Sequence, residues 1–140
     1  MTYKKVFLDT NVLLDYILDR GNVSVCAEKI FELCVEGRID VYVAAHSILN
    51  MFYILRKYIG VKTRKMIMHN ICDLCTVIDV SESKIMTAIL GDRLDLEDHV
   101  QVLCAEECGA DCIVTRDKKG LHSDIMETFS PNEYLAKINA

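Results

Sequence analysis

The sequence predicts one three-layer α/β domain: a mainly parallel sheet of four to five strands flanked by helices. Three observations lead there. Short apolar, β-branched runs alternate along the chain with segments whose apolar residues recur at helical spacing, the pattern of strands joined by helical crossovers. The 140 residues contain no internal repeat, low-complexity tract or linker, so residues 1–140 are expected to form a single domain. The first apolar run, Val6-Phe7-Leu8, ends directly on Asp9, and a second run with helical spacing follows it. That arrangement puts a carboxylate at the carboxyl end of a strand, the edge where open α/β sheets gather their ligands.

Taken in order, Lys5 to Leu8 is the first strand, and Asn11 to Leu18 is a helix that ends near Gly21. Val23 to Val35 carries apolar residues at 23, 26/27, 30/31 and 34, an amphipathic helix stopped by Gly37. Ile39 to Ala45 is β-branched and apolar, the second strand. A helix from His46 to Ile59 turns Ile48, Met51/Phe52, Leu55 and Tyr58/Ile59 inward and ends at Gly60, with Ser47 and Asn50 on a polar edge shared with Lys57. Thr63 to Cys75 is a further helix, Thr76 to Val80 a short third strand, and Ser81 or Ser83 caps a helix reaching Leu90. Asp95 to Cys108 reads as a helix with Val100, Leu103/Cys104 and Cys108 inward and Gly109 as its stop. It feeds a fourth strand, Cys112 to Thr115. Ile125 to Phe129 is a weaker fifth strand. Ser130-Pro131-Asn132-Glu133 has the N-cap, first-position proline and capping-box acid of a helix start, and the last helix runs to Ile138.

Composition narrows the function classes. A hydrophobic fraction of 51% suits a packed domain rather than a disordered tail. Apolar runs are too short and too often broken by charge to span a membrane, and Met1-Thr2-Tyr3-Lys4-Lys5 lacks the apolar stretch of a secretion signal, so a cytoplasmic protein is expected. The seven cysteines sit mostly at apolar positions of helical patterns, where a free thiol packs as a small hydrophobe. Cys72-Asp73-Leu74-Cys75 has the spacing of half a zinc site, but no second pair follows and no strand leads into it as a redox motif requires. Net charge is −5, unfavourable for a nucleic-acid binder as a whole. Two local groups run against that total: Arg56, Lys57, Lys62, Arg64 and Lys65, and then Arg116, Lys118 and Lys119. Each reads either as a solvated face or as a phosphate-binding patch.

The acids carry the chemistry. Asp9 ends the first strand, Asp117 follows the fourth in Ile113-Val114-Thr115-Arg116-Asp117, and Asp95-Leu96-Glu97-Asp98 opens the helix feeding that strand. Strand ends and the starts of the following helices share one edge of a parallel sheet, so all three places meet there. Each has a plain alternative: Asp9, Thr10 or Asn11 as a helix cap, Asp95 and Asp98 as a cap and its third helical residue, Thr115 to Asp117 as a polar turn. Capping does not explain why the acids share an edge. Carboxylates so placed repel one another unless a cation holds them, and oxygen ligands in this number suit Mg²⁺ or Mn²⁺. No P-loop or glycine-rich dinucleotide motif is present, His99 points about a hundred degrees round the helix from Asp98, and His46, His69 and His122 form no ligand-like pair with an acid. Asp15 and Asp19, one turn apart, read as solvated.

Val6-Phe7-Leu8-Asp9-Thr10-Asn11, Asp98 at a helix start and Val114-Thr115-Arg116-Asp117 resemble a PIN-domain nuclease, and more narrowly the small VapC-like ribonuclease toxins of type II toxin–antitoxin pairs. The resemblance covers nearly the whole chain, including Phe129-Ser130-Pro131-Asn132-Glu133-Tyr134-Leu135. It implies a PIN-like fold and Mg²⁺- or Mn²⁺-dependent cleavage of RNA, with Asp9, Asp98 and Asp117 as metal ligands and catalytic residues. It gives Thr115 the part of a hydroxyl positioning Asp117 or a metal-bound water, and Asp95 an outer-sphere contact. It also implies a small antitoxin partner and a homodimer. At Asn50 the pattern usually has glutamate; an amide can orient a metal-bound water but adds no charge. Lys118-Lys119-Gly120-Leu121 departs from an acidic residue followed by phenylalanine. Two alternatives stand beside this reading: a degenerate PIN module that binds RNA or a protein without cleavage, and a haloacid-dehalogenase-like phosphatase. The phosphatase wants a second acid two residues beyond Asp9, where this chain has Asn11.

Overall fold

Strands buried on both faces are short and almost wholly apolar, and helices must cover both sides. The computed structural model, which describes residues 2–139, pairs β1 (Lys5–Leu8), β2 (Asp40–Ala44), β3 (Thr76–Ile78), β4 (Cys112–Val114) and β5 (Glu127–Phe129) into one sheet of order β3-β2-β1-β4-β5. Every pairing is parallel, with Val6 opposite both Val41 and Cys112, Val43 opposite Val77, and Ile113 opposite Thr128. The sheet therefore has all five of the expected strands, the last shorter than its apolar run.

Alternation along the strands divides the core in two. Val6, Leu8, Val41, Val43, Cys112 and Val114 face a cluster that includes Leu13, Ile30, Phe31, Met51, Ile71 and Tyr134. These come from α1 (Thr10–Ile17), α2 (Asn22–Val35), α3 (Ala45–Ile54), α4 (Val61–Leu74) and α7 (Pro131–Asn139). Phe7, Ala44 and Ile113 face the other way, against Ala88 of α5 (Glu82–Leu90) and Val100, Cys104 and Ala105 of α6 (Leu96–Glu107). Three layers result. No described helix is long and apolar enough to cross a membrane.

The chain leaves β1 for β2 and β3 on one side, then returns to β4 and β5 on the other. The order reverses between β1 and β4, and a crevice opens there at the carboxyl edge. Asp9 stays in the ladder one residue past β1, its N–H donating to Val114 C=O at 3.1 Å, and Thr115 N–H does the same toward Phe129 C=O at 2.9 Å. Because α6 runs antiparallel to the strand it feeds, its first turn lies at this same edge.

Several local expectations are corrected. The helix after β2 starts at Ala45 and stops at Ile54, tightening into a 3₁₀ turn over Leu55–Lys57. Arg56 donates to Tyr53 C=O at 2.7 Å and Arg64 to Phe52 C=O at 2.8 Å, so arginines satisfy carbonyls that a longer helix would have used. Tyr58, expected inward, is exposed. Ser47 does not lie on a polar edge: it is fully buried and bonds Thr10 at 2.7 Å, hydroxyl to hydroxyl. His46 Nε2 lies 3.5 Å from Glu97 Oε1 and His69 Nδ1 3.3 Å from Asp73 Oδ2, so these two histidines do have acid neighbours. The cysteines are free thiols; Cys75, Cys104 and Cys112 are buried, while Cys72 is exposed, so the CxxC spacing joins a surface thiol to a core one.

The largest correction is Asp15, expected in solvent and found with 0% exposure. Arg116 reaches it with Nε at 2.7 Å and Nη2 at 3.2 Å, and Arg20 adds Nη1 at 3.2 Å. Arg116 comes from beyond β4, a partner that helical periodicity around residue 15 does not reveal. Its guanidinium is committed to this ion pair, so it is not the free phosphate ligand that the charge pattern suggested. Lys118 is likewise paired, with Glu133 at 2.7 Å. Removing one partner of a buried pair strands the other charge, at about 3–5 kcal/mol. Asp15→Asn is expected to lower unfolding free energy by about 3 kcal/mol, read as a shift of the urea midpoint at unchanged slope. An unchanged midpoint counts against this ion pair as a structural anchor.

Candidate metal centre

The crevice at the β1–β4 switch point is a cleft of about 370 Å³. Asp9, Asp95, Asp98, Asp117 and Asn50 all line it, together with Glu97 and Gln101. The sequence-predicted site residues thus occupy one place, apart from Thr115, which lies buried beneath the carboxylates at 0% exposure.

Asp9 occupies the N-cap position of α1, and its C=O accepts the N–H of Val12 at 3.0 Å, yet its side chain caps nothing. The buried carboxylate accepts instead from two other elements: Gln101 Nε2 of α6 at 3.2 Å on Oδ1, and Thr115 Oγ1 at 2.8 Å on Oδ2. Thr115 Oγ1 in turn accepts the backbone N–H of Asp117 at 2.9 Å. One hydroxyl therefore couples the acid after β1 to the acid after β4. The cap alternative is excluded for Asp9 and holds for Asp95, whose Oδ1 accepts the N–H of Asp98 at 2.9 Å.

Asp98, in the first turn of α6, feels the whole group. Partial burial, followed by the charges of Asp95, Asp9, Asp117 and Glu97, raises its carboxyl from 3.8 to about 6. Among the described residues, no ion pair neutralises Asp9, Asp98 or Asp117. Asp117 is further oriented by the N–H of Gly120, donating to Oδ1 at 3.1 Å. A Cβ at residue 120 would fall 2.5 Å from Asp98 Oδ2 and 2.6 Å from Asp117 Oδ2. The glycine keeps open the space that these two oxygens share.

These features test whether the residues fit a divalent cation. Among the described residues, no three carboxylate, imidazole or thiol groups are already closed into a ligand cage. The donor chemistry nonetheless fits a hard ion: carboxylate oxygens from three elements, in excess negative charge, facing an open cleft. The Oε1 of Gln101, a residue only 1% exposed, is buried at the same cleft without a hydrogen-bond partner.

Three participants escaped the sequence reading. Gln101 lies one turn beyond Asp98 and so shares its face, a signal that periodicity alone offers. Glu97 is met across the cleft by Asn50, whose Nδ2 donates to Oε1 at 3.0 Å. Gly120 declares itself only through the space that it leaves.

Comparison with known proteins agrees with this architecture. The PIN domain model matches residues 5–119, from β1 to just past Asp117. Ribonuclease VapC1 of Aquifex aeolicus (strain VF5) is 25% identical over 144 residues, with 99% of each chain covered. Among solved structures, a toxin–antitoxin complex from Klebsiella pneumoniae superposes with TM-score 0.65 at 16% identity, covering 90% of this chain and 97% of that one. FitAcB from Neisseria gonorrhoeae gives 0.60 at 17% identity, with 90% and 97% covered. VapC20 of Mycobacterium tuberculosis, a toxin that cleaves the sarcin–ricin loop, gives 0.62 at 14% identity, with 82% and 92% covered. With its fold shared and most of its length matched by the family model, the chain belongs to the PIN domain family.

Proposed function

We propose that this protein is a Mg²⁺- or Mn²⁺-dependent endoribonuclease, the toxin of a toxin–antitoxin pair. The observation that carries the reading is Asp9: a buried carboxylate that caps no helix, is neutralised by no cation among the described residues, and lines one cleft with Asp98 and Asp117. The similarity to Ribonuclease VapC1 supports RNA as substrate, and the toxin–antitoxin complexes among the structural relatives support a small protein antitoxin. The family resemblance also supports a homodimer.

Asp9, Asp98 and Asp117 would hold the ion. When bound, it supplies a water of lowered pKa and a Lewis acid against the scissile phosphate. The chain's own residues supply placement. Thr115 and Gln101 fix both oxygens of Asp9; Thr115 and Gly120 set the backbone and carboxylate of Asp117; Asp95 holds the first turn of α6, and with it Asp98. Asn50 reaches the cleft from α3 as a neutral group. Lys57, Lys62 and Lys65 are exposed and remain available to an RNA backbone, and Lys119 lines the surface on the far side of Asp117. A phosphatase of the haloacid-dehalogenase type is disfavoured by the family match and by the neutral Asn11.

Purified protein freed of its partner is expected to cleave single-stranded or structured RNA with Mg²⁺ or Mn²⁺ and to stop with chelator. Asp9→Asn should abolish cleavage, and Thr115→Val, which removes a group acting through two acids, should slow it about 10- to 100-fold. Full cleavage by Asp9→Asn defeats the assignment; RNA binding without cleavage by the parent selects the degenerate-module reading instead. Gly120→Ala should keep the circular dichroism spectrum and lose cleavage, because its methyl group displaces the Asp98 and Asp117 oxygens.

The raised pKa of Asp98 has a definite sign. A carboxyl that titrates near 6 when folded and 3.8 when unfolded favours folding most below the lower value, and that contribution is lost as pH rises through about 6. Relative to Asp98→Asn, the metal-free protein should lose thermal stability between about pH 4 and 6. A bound cation favours the ionised form, so the stabilisation by added Mn²⁺ should be larger at neutral pH than at acidic pH. Parallel pH–stability curves for parent and Asp98→Asn are the contrary result.

A further inference from the structure

We infer that Glu97 is a working carboxylate of this centre, supplying from the first turn of α6 the charge that Asn50 does not bring from α3. The inference deepens the metal-site reading above and rests on it.

Asn50 Nδ2 donates to Glu97 Oε1 at 3.0 Å, and His46 Nε2 lies 3.5 Å from that same oxygen. Both groups belong to α3, so Glu97 reaches out of its own helix toward the opposite wall of the cleft. An acid in the first turn is also what a helix macrodipole favours. That explanation covers the residue type and not its direction. Asp95 already caps α6 through the N–H of Asp98, and Glu97 meets Asn50 and His46 of α3 rather than the free N–H groups of its own helix. A carboxylate held by one oxygen keeps the second for a cation, and hydrogen bonds of this kind orient ligating carboxylates in metal sites.

Gln101 gives independent support for a ligand at this place. It is 1% exposed, its Nε2 is spent on Asp9, and its Oε1 is buried at the cleft with no partner. A buried amide oxygen in this state calls for a donor or a cation. Glu97 and Gln101 are four residues apart on α6 and therefore neighbours on one helix face. Asp98 and Glu97 enter the cleft from the first turn of α6 and Asn50 from α3, and the amide–carboxylate pair does the work that a single glutamate on α3 would do.

The test is Mn²⁺ binding by full-length, metal-free protein, followed by loss of the free-ion electron paramagnetic resonance signal. Glu97→Gln is expected to weaken Mn²⁺ affinity about tenfold or more while leaving the unfolding midpoint in chelator unchanged. Asn50→Glu alone sets two carboxylates against each other and should gain nothing. Combined with Glu97→Gln, it rebuilds the pair in reverse and should recover most of the lost affinity. Parent-like Mn²⁺ binding by Glu97→Gln, with Asp9→Asn binding lost, overturns this inference and leaves the metal centre standing. Failure of the folded reversed pair to recover any affinity also overturns it. A parent protein that binds no Mn²⁺ removes the metal centre and this inference together.

Discussion

The structure depends on a buried carboxylate held by groups that do not neutralise it. Asp9 sits where a helix cap belongs and declines to cap; its oxygens accept from Thr115 and Gln101, one beyond β4 and one on α6. Hydrogen bonds to a charged group contribute about 1.5–3 kcal/mol each, which offsets part of the desolvation of the ion without cancelling its charge. The effect is mechanical as well as electrostatic. Two strand ends and the middle of α6 are tied at one point, so the geometry of the cleft is set by the same contacts that make Asp9 tolerable.

Asp15 provides the internal contrast. It is as deeply buried as Asp9, only six residues away, and the chain surrounds it with Arg20 and Arg116. Where a carboxylate serves the fold, this protein brings guanidinium groups to it. At Asp9, Asp98 and Asp117 it brings hydroxyl, amide and backbone N–H groups instead, and further acids. The two treatments separate a charge neutralised within the chain from charges left without a cationic partner among the described residues.

Much of this was legible in the amino-acid sequence, for physical reasons that can be named. Strand–helix alternation is a periodicity signal, and it located all five strands and the helices to within a few residues at their ends. The carboxyl edge follows from topology, so acids that end strands or start the next helix must meet there. The misreadings are of another kind. Asp15 looked solvated because its partner Arg116 lies far along the chain, and Ser47 looked exposed because Thr10, which buries its hydroxyl, sits on a different helix. Gly120 showed only as part of a departure from the family pattern, which says nothing of its contribution, the space beside two oxygens. Contacts between distant elements are what a single sequence conceals.

Asn50 and the stretch Lys118-Lys119-Gly120-Leu121 are the two places where the motifs depart from the pattern the chain otherwise resembles; Asn50 lines the cleft, and Gly120 stands beside Asp98 and Asp117. At residue 120 even a methyl group would meet the side-chain oxygens of Asp98 and Asp117, which would have to move aside. At residue 50 a glutamate would meet Glu97, like charge against like, where asparagine meets it with a donor. Asparagine is therefore compatible with its surroundings, and a glutamate in its place would be unfavourable while Glu97 stands. Here the neutral residue on α3 faces an acid on α6, and the missing side chain faces two carboxylates that use its space. The amide at residue 50 fits the acid that it faces, and the absent side chain at residue 120 fits the two carboxylates beside it.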